Sequence, residues 1–523
     1  MSKQYADSEE LQKKILAGVN KLADNVAATL GPKGRNVILA RKDSNPIVTK
    51  DGVSVAKFID FEDPFENAAA QLIKQAAAET NNLAGDGTTT STVLARAIYC
   101  KSQKYLLAGS SPVDLKRGMD KAVKQVVKKI EEMSRPVESK EDVEHVATIS
   151  ANGDTVIGRL ISEAADQAGN DGAITVQEAK SFETSLDVIE GFRFDSGYFA
   201  QAFVTNKRRN AVEYDDVLVL VTDHKIEAVQ DILPVLELVA RESKPFIIVA
   251  EQVEGQALAA LIMNTVRGSM KVAAVKAPGY GEERRNVLRD LCLSTGATFV
   301  SRDSGKKLNE VVLSDLGVCK KAEVLKNQTT LVGGMADWQK IDETIEALKA
   351  EIKQTDDMDE CRKLQQRITR LNSGVAIIKV GAPTEVEMIE KKHRIEDALE
   401  AVRSAQAEGI IPGGGATLIR CRDFEIDAVN EDETLGANII KCSLEAPLRQ
   451  IASNADQSSD LILHHLMAEN DTQIGWNFAE GRIVNMIDSG IVDPAKVTRV
   501  ALQNAASVAS TLITTSNAII EEK

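Results

Sequence analysis

Between Leu83 and Thr92 the chain reads LAGDGTTTST, a single carboxylate, Asp86, between two glycines and ahead of a run of hydroxyls. Glycine lets backbone N–H groups approach an anion closely. The apolar stretch STVLARAI that follows predicts a helix whose N-terminus turns free N–H groups and partial positive charge on the same point. A carboxylate repels phosphate, so Asp86 makes sense there as an oxygen ligand for a cation such as Mg²⁺, which bridges to phosphate oxygens. The hydroxyls and carbonyls of Thr88, Thr89 and Thr90 can complete that coordination. The stretch lacks the lysine of a P-loop; metal and helix dipole would neutralise the phosphates instead. TLGPKGRNV (Thr29–Val37) brings a second pair of anion-approaching glycines, Gly31 and Gly34. PGGGA (Pro412–Ala416) opens a further helix with bare backbone suited to a ribose or a base edge. Asp51 and Asp397 are carboxylates able to orient the water that attacks a phosphoryl group. Taken singly, each loop is more readily a glycine-rich turn with a capping threonine, and Asp397 is more often a carboxylate on a helix surface than a catalyst.

The elements that must position these groups fall into three stretches. Leu11, Ile15, Val19, Leu22 and Val26 recur at helical spacing over Ser8–Leu30, and Gly31-Pro32 stops that helix. NVILARK (36–42) reads as a short strand, Asp51-Gly52 as a tight turn, and NAAAQLIKQAAAETNNLA (67–84) as a second long helix leading into the Asp86 loop. In the middle, 217–223, 244–251, 271–278 and 297–303 are short β-rich apolar runs separated by amphipathic helical segments, which predicts an α/β layer of parallel strands. Ile341, Ile345, Leu348 and Ile352 lie on one stripe; a polar break, TDDMDE (355–360), and a second helix to Leu371 make a helical hairpin. The last third returns to alanine-rich helices, so one domain is expected to be built from both ends with the middle inserted into it. Gly191 and Gly374 stand where the chain should change direction, as turn glycines or hinges.

At 523 residues the chain exceeds a single core, so two or three domains are expected. A hydrophobic fraction of 43% and a charged fraction of 27% are those of an ordinary globular protein. The formal charge of -15 argues against a nucleic-acid surface. No apolar run is long enough to span a bilayer, and the polar, acidic N-terminal stretch resembles neither a secretory signal nor a transit peptide. Six scattered cysteines without metal spacing read as reduced thiols of a cytoplasmic protein. His464 and His465, adjacent on a helix, point to surface positions and not to a metal site.

TLGPKGRNV, TKDGVSVAK, AGDGTTTSTVLARAI, DLKRGMDKAV, TISANGD, VKAPGYGEERR, RIEDAL, GGGATL, EAPLRQI and DPAKVTR follow one another along the chain. In this series and order the sequence resembles the GroEL-type (group I) chaperonins over nearly its whole length. The resemblance implies an α/β multidomain GroEL-like fold: a mainly helical equatorial ATPase domain (1–132 and 408–523), a small intermediate domain (133–189 and 376–407) and an α/β apical domain (190–375). It implies an ATP-dependent chaperone that binds unfolded or misfolded proteins and promotes their folding in a homo-oligomeric ring, commonly heptameric, with a co-chaperonin lid as a compatible partner. Neither nucleic acid nor membrane is an implied partner, and the setting is the cytoplasm of a bacterium, or of a host if the source is viral. By position the resemblance assigns the nucleotide site to Thr29, Leu30, Gly31, Pro32, Lys50, Asp51, Asp86, Gly87, Thr88, Thr89, Thr90, Gly414, Asn477, Phe478, Ala479 and Asp493. Asp86 would hold Mg²⁺, the backbone oxygens of Thr29 and Lys50 a K⁺ ion, and Asp493 the ribose hydroxyls; Asp51 and Asp397 would position or activate water.

The client and co-chaperonin surface implied by the resemblance comprises Tyr198, Phe203, Leu233, Leu236, Leu258, Ile262 and Met263, an apolar groove where otherwise such residues would face a core. Gly191 with Gly374, and Pro136 with Gly409, match the family's two hinges. Several positions depart from the family: Trp476 and Phe478 flank the base-side Asn477, and Ala202 replaces an aromatic. Ser458 stands where an acid often meets an arginine across two rings, Arg449 being retained, and NAIIEEK ends the chain without a Gly-Met tail. A single or labile double ring is therefore expected. A scaffold that kept the fold and lost productive cycling is the alternative function. A small-molecule kinase with the same glycine loops ranks last, since no second substrate pocket is legible.

Overall fold

The computed structural model describes residues 3–521 apart from 7, 41–45, 169–172, 180, 353–357 and 373. The chain divides into two compact units: Met1–Glu163 with Glu178–Glu183 and Val380–Lys523, and Ala164–Gln177 with Thr184–Lys379.

The first unit is a helical bundle drawn from both ends of the chain. Helices Ser8–Ala27, Pro64–Ala84, Thr88–Leu107, Pro112–Met133, Glu431–Ser443 and Ala495–Thr514 bury one stripe each in a shared core that includes Leu22, Ile73, Leu94, Met119, Ile440 and Leu502. The cores are mostly aliphatic and alanine-rich, so helices approach closely. A Cβ on Gly118 would overlap the Glu433 carbonyl, and one on Gly436 the Leu115 carbonyl, so the pair Pro112–Met133 and Glu431–Ser443 packs backbone to backbone. Lys3–Ala6 pairs antiparallel with Ala518–Glu521, from Lys3 opposite Glu521 to Ala6 opposite Ala518, which joins the two ends of the chain. Helix Lys140–Ser150 carries a capping box between Ser139 and Asp142, and the 24-residue helix Glu385–Glu408 starts from Thr384.

Two local expectations change. Asp51-Gly52 is not a turn between strands: Val37–Leu39 pairs with Ile47–Thr49, and Asp51 then caps a seven-residue helix, Gly52–Phe58. An aspartate before a short apolar run can serve either end, and here the helix wins because its N–H groups take up the carboxylate. The run NVILARK extends to residues 41 and 42, outside the described residues.

Among the described residues the second unit is built on a nine-stranded sheet. Its path runs Val272–Lys276, Phe246–Ala250, Val212–Thr222, Gly317–Val324, Thr329–Gly334, Ser185–Phe194, Gly374–Val380 and Ala173–Glu178, with Phe299–Val300 beside Val212–Thr222. The four expected runs do form strands, parallel to one another, with Leu218 opposite Phe246 and Val221 opposite Phe299. The sheet as a whole is mixed, however: Gly317–Val324, Thr329–Gly334 and Ser185–Phe194 pair antiparallel. Val217 to Val221 are buried, as expected of a central strand covered on two faces. Gly191 and Gly374 lie in paired strands, opposite Val332 and Glu190, and not at turns. Helices Trp338–Ile352 and Met358–Asn372 form the expected hairpin around Ile341, Ile345, Leu348, Leu364 and Ile368; of its polar break, residues 355–357 are outside the described residues and 358–360 open the second helix.

Candidate functional site

In the first unit a cavity of about 420 Å³ opens where residues from several separate stretches of chain meet. Thr29, Leu30, Gly31, Pro32, Lys50, Asp51, Asp86, Gly87, Thr88, Thr89, Thr90, Asp397, Gly414, Asn477, Phe478, Ala479 and Asp493 all line it. Its size suits a small-molecule ligand.

Tight turns place the inner wall. Helix Pro64–Ala84 ends at Gly85 with φ 72° and helix Thr88–Leu107 begins at Gly87 with φ 85°, so three residues reverse the chain. An alanine at position 87 would be strained, and its Cβ would lie 2.7 Å from Val497 Cγ1. No side chain caps helix Thr88–Leu107. Its first-turn N–H groups therefore have no side-chain acceptor and suit an anion. Thr29 Oγ1, bonded to the Val26 carbonyl at 2.8 Å, lies 3.2 Å from Thr89 Oγ1 and ties the first glycine loop to the second.

The acids are arranged unequally. One Asp86 oxygen accepts the Gly87 N–H and the other the Ser150 hydroxyl at 3.0 Å. Burial pushes the Asp86 carboxyl up, against the pull of those two donors, and the charge of Asp51 adds to the rise. Asp493 is pushed up to about 7 by burial and by the charge of Asp86. Asp51 raises Asp86, and Asp86 in turn raises Asp493, so the cavity gathers carboxylates where a cation is stabilised, and the donor set fits a divalent ion with oxygen ligands. Asp51 is committed differently: its carboxylate accepts Val53 N–H at 2.9 Å, Ser54 N–H at 3.1 Å and Ser54 Oγ at 2.6 Å.

A lysine does stand in this cavity, reached from a loop remote from the glycine motif. Lys50 Nζ donates to the Gly31 carbonyl at 3.0 Å, and burial, then the charge of Arg394, pushes its amine down to about 8 against the attraction of Glu390. Arg394 also lines the wall, its Nε on Glu390 Oε1 at 3.1 Å and its Nη1 on Asp154 Oδ2 at 3.3 Å. On the opposite side Asn477 Oδ1 accepts Ala479 N–H at 3.0 Å and shapes a turn. Phe478 is fixed there by packing on Ile419, Leu448 and Ile451. Trp476 gives its indole N–H to Gln457 Oε1 at 2.8 Å and stacks on the ring of exposed His465.

In the second unit, the expected client residues divide. Leu233 and Met263 are 44% and 47% exposed on helices Val229–Glu242 and Gly255–Val266, and Leu258, Ile262 and Tyr198 are half-buried. Phe203 and Leu236 are corrections, being 0% and 5% exposed in the sheet's core. Leu236 lies three residues from Leu233 but toward the sheet, with Ile232, Val235 and Val239. Val266, 67% exposed one turn beyond Met263, extends the apolar face and carried no expectation.

The TCP-1/cpn60 chaperonin family matches residues 22–523. The chain belongs to that family. This chaperonin is similar in fold to the crystal structures of chaperonin gp146 from bacteriophage EL 2 (Pseudomonas aeruginosa), determined in the presence of ATP-BeFx. The likeness covers 99% of each chain at 23% identity, with TM-scores of 0.66 and 0.63 for crystal forms II and I. Among the described residues no helix is long and apolar enough to cross a membrane. Among the described residues no disulfide joins the six cysteines of the chaperonin. Sequence reasoning missed Ser150, His393, Arg394 and the side chain of Lys50. The first three sit at the end or middle of ordinary helices with no glycine or turn signal beside them, and Lys50 was assigned only through its carbonyl.

Proposed function

We propose that this chaperonin binds and hydrolyses ATP and uses the cycle to capture and release non-native polypeptides within a homo-oligomeric ring, heptameric per ring. The observation that supports this best is that every nucleotide-site residue inferred by position, from stretches far apart in sequence, lines one cavity. The use of an ATP analogue with the phage chaperonin is consistent with it. In this reading the chain works as three parts, an equatorial base from 1–132 and 408–523, an intermediate part from 133–189 and 376–407, and an apical part from 190–375.

The uncapped N-terminus of helix Thr88–Leu107 and the backbone of Gly31 and Gly87 hold the phosphates, and Gly414 with Asn477 to Ala479 faces the base. Asp493 accepts from the ribose hydroxyls. Asp86 is the carboxylate that would hold Mg²⁺, and the carbonyls of Thr29 and Lys50 would hold K⁺; bound there, these ions offset phosphate charge. Asp397 accepts a proton from water as the water oxygen bonds to the γ-phosphorus and the bond to the ADP oxygen breaks, giving ADP and inorganic phosphate. Asp51, with three donors on its carboxylate, orients and does not abstract. The exposed apolar residues Leu233, Met263 and Val266 present a partner-binding face, polarisable and adaptable at the methionine.

Titration calorimetry of the whole protein with ATP, Mg²⁺ and K⁺ tests the site: saturable uptake is expected, and its absence would overturn the reading. Refolding of a denatured client with and without ATP separates a folding machine, whose yield rises with ATP, from a scaffold, whose yield does not.

A further inference from the structure

The nucleotide cavity has a neighbour in the same unit. A second cavity of about 420 Å³ is lined by Gly34, Asn36 and Val48 on one side and by Thr384, Val386 and Glu387 on the other. Lys50, Asn152, Glu390 and Arg394 line both cavities, so these four side chains form the partition between them. Lys50 directly precedes Asp51 in sequence, and Arg394 is one helical turn before Asp397, so the partition stands at the end of the cavity where water and terminal phosphate would meet. None of the residues assigned to the base or ribose, Gly414, Asn477, Phe478, Ala479 or Asp493, borders the second space.

Building on the ATPase reading, we propose that this second cavity is the path by which inorganic phosphate leaves after hydrolysis, while ADP stays behind. Three observations carry it. At its hydrolysis end the inner cavity holds Asp51 and Asp397 in addition to the shared Glu390, and a freed phosphate dianion is repelled there once it is no longer tethered to the nucleoside. The outer space presents Lys50 and Arg394 against Glu387 and Glu390, a balanced wall, together with the neutral donors Asn36 and Asn152. The partition is also built to exchange partners. Lys50 holds the Gly31 carbonyl, and Arg394 bridges Glu390 and Asp154, so a passing phosphate meets two cations whose present bonds it can replace in turn. ADP remains held by its base and ribose on the far side.

Plugging the outer cavity tests this without touching the residues assigned to binding or hydrolysis. Val386→Trp and Asn36→Trp fill it from its two facing walls. The full-length variants are mixed with ATP, and acid-quenched samples give the hydrolytic step. A fluorescent phosphate-binding reporter gives free phosphate, and a fluorescent ADP analogue gives nucleotide release. Expected is a burst of hydrolysis at the wild-type rate followed by phosphate release slowed at least tenfold, with ADP affinity and the thermal midpoint unchanged. Val386→Ala, which widens the space, leaves release as fast as wild type or faster. Phosphate release at the wild-type rate in both tryptophan variants, or equal slowing of phosphate and ADP, would overturn the exit. A wild-type protein that binds ATP without hydrolysing it would instead overturn the ATPase reading on which the exit rests.

Discussion

Asp51 and Asp397 both border the cavity, but their surroundings give them different work. The carboxylate of Asp51 is held by the first turn of helix Gly52–Phe58, whereas Asp397 sits mid-helix on Glu385–Glu408 with its face to the cavity. Asp397→Ala should lower turnover by about 10²–10⁴-fold, the usual range for a lost proton acceptor, and leave ATP affinity in calorimetry close to wild type. Asp51→Ala should cost turnover and also about 1 kcal/mol of stability through the lost cap, so a lowered midpoint in thermal unfolding distinguishes it from Asp397→Ala. The glycine loop around Asp86 was legible because its residue types have few other uses in that order. Ser150 was not, since a serine at the last turn of a helix, Lys140–Ser150, looks like any other until the fold brings its hydroxyl to Asp86. The lysine that the loop lacks arrives through space as Lys50, which no local spacing could announce.

Helices carry their packing faces in their periodicity, and this made the bundle and the hairpin at Trp338–Asn372 readable; which side of a stripe meets solvent is decided only by the neighbour. Leu233 and Leu236 show the consequence, one outward and one in the core three residues later. Leu233→Ser and Met263→Ser should therefore weaken capture of an unfolded client, seen as lost suppression of its aggregation, with the fold intact. Leu236→Ser should destabilise the second unit by about 2–5 kcal/mol, as for a large buried aliphatic side chain removed from a core, and be seen as an earlier unfolding transition. The parallel quartet of strands was evident from its apolar runs, but the antiparallel strands Gly317–Val324 and Thr329–Gly334 were not, because their alternation is broken by lysines and glycines. In the first unit, the backbone contact at Gly118 and Gly436 makes the reverse prediction. Gly118→Ala should push two helices apart and cost about 1–3 kcal/mol by overpacking, despite alanine's better helix propensity, and denaturant titration gives the sign.

Across the molecule, buried carboxylates set the response to acid. Burial would raise Asp142, but the Glu138 N–H, the hydroxyl and N–H of Ser139 and the Arg135 guanidinium together hold it below the ordinary range. Asp315 is treated likewise by Lys306, at 2.6 Å, and the Val312 N–H, at 2.9 Å, against the same burial. A group whose folded-state value is depressed contributes stability above its unfolded value and loses it as pH falls through the folded one. The contribution of Asp142 and Asp315 should thus be kept down to about pH 4, the usual carboxylate range, and be lost below it as a falling thermal midpoint, whereas the raised Asp86 and Asp493 add stability as pH falls towards that range; Asp142→Asn should begin lower and fall less steeply below it. One further consequence follows from the zipped ends, Lys3–Ala6 on Ala518–Glu521, and from helix Ala495–Thr514 in the core of the first unit. During synthesis the ribosome delivers almost all of the sheet-bearing unit as one uninterrupted stretch, free to mature as it emerges. The helical unit must wait, half-made, until its closing segment from residue 495 onward has been delivered, so a nascent chain stalled before residue 495 should resist protease only in its middle.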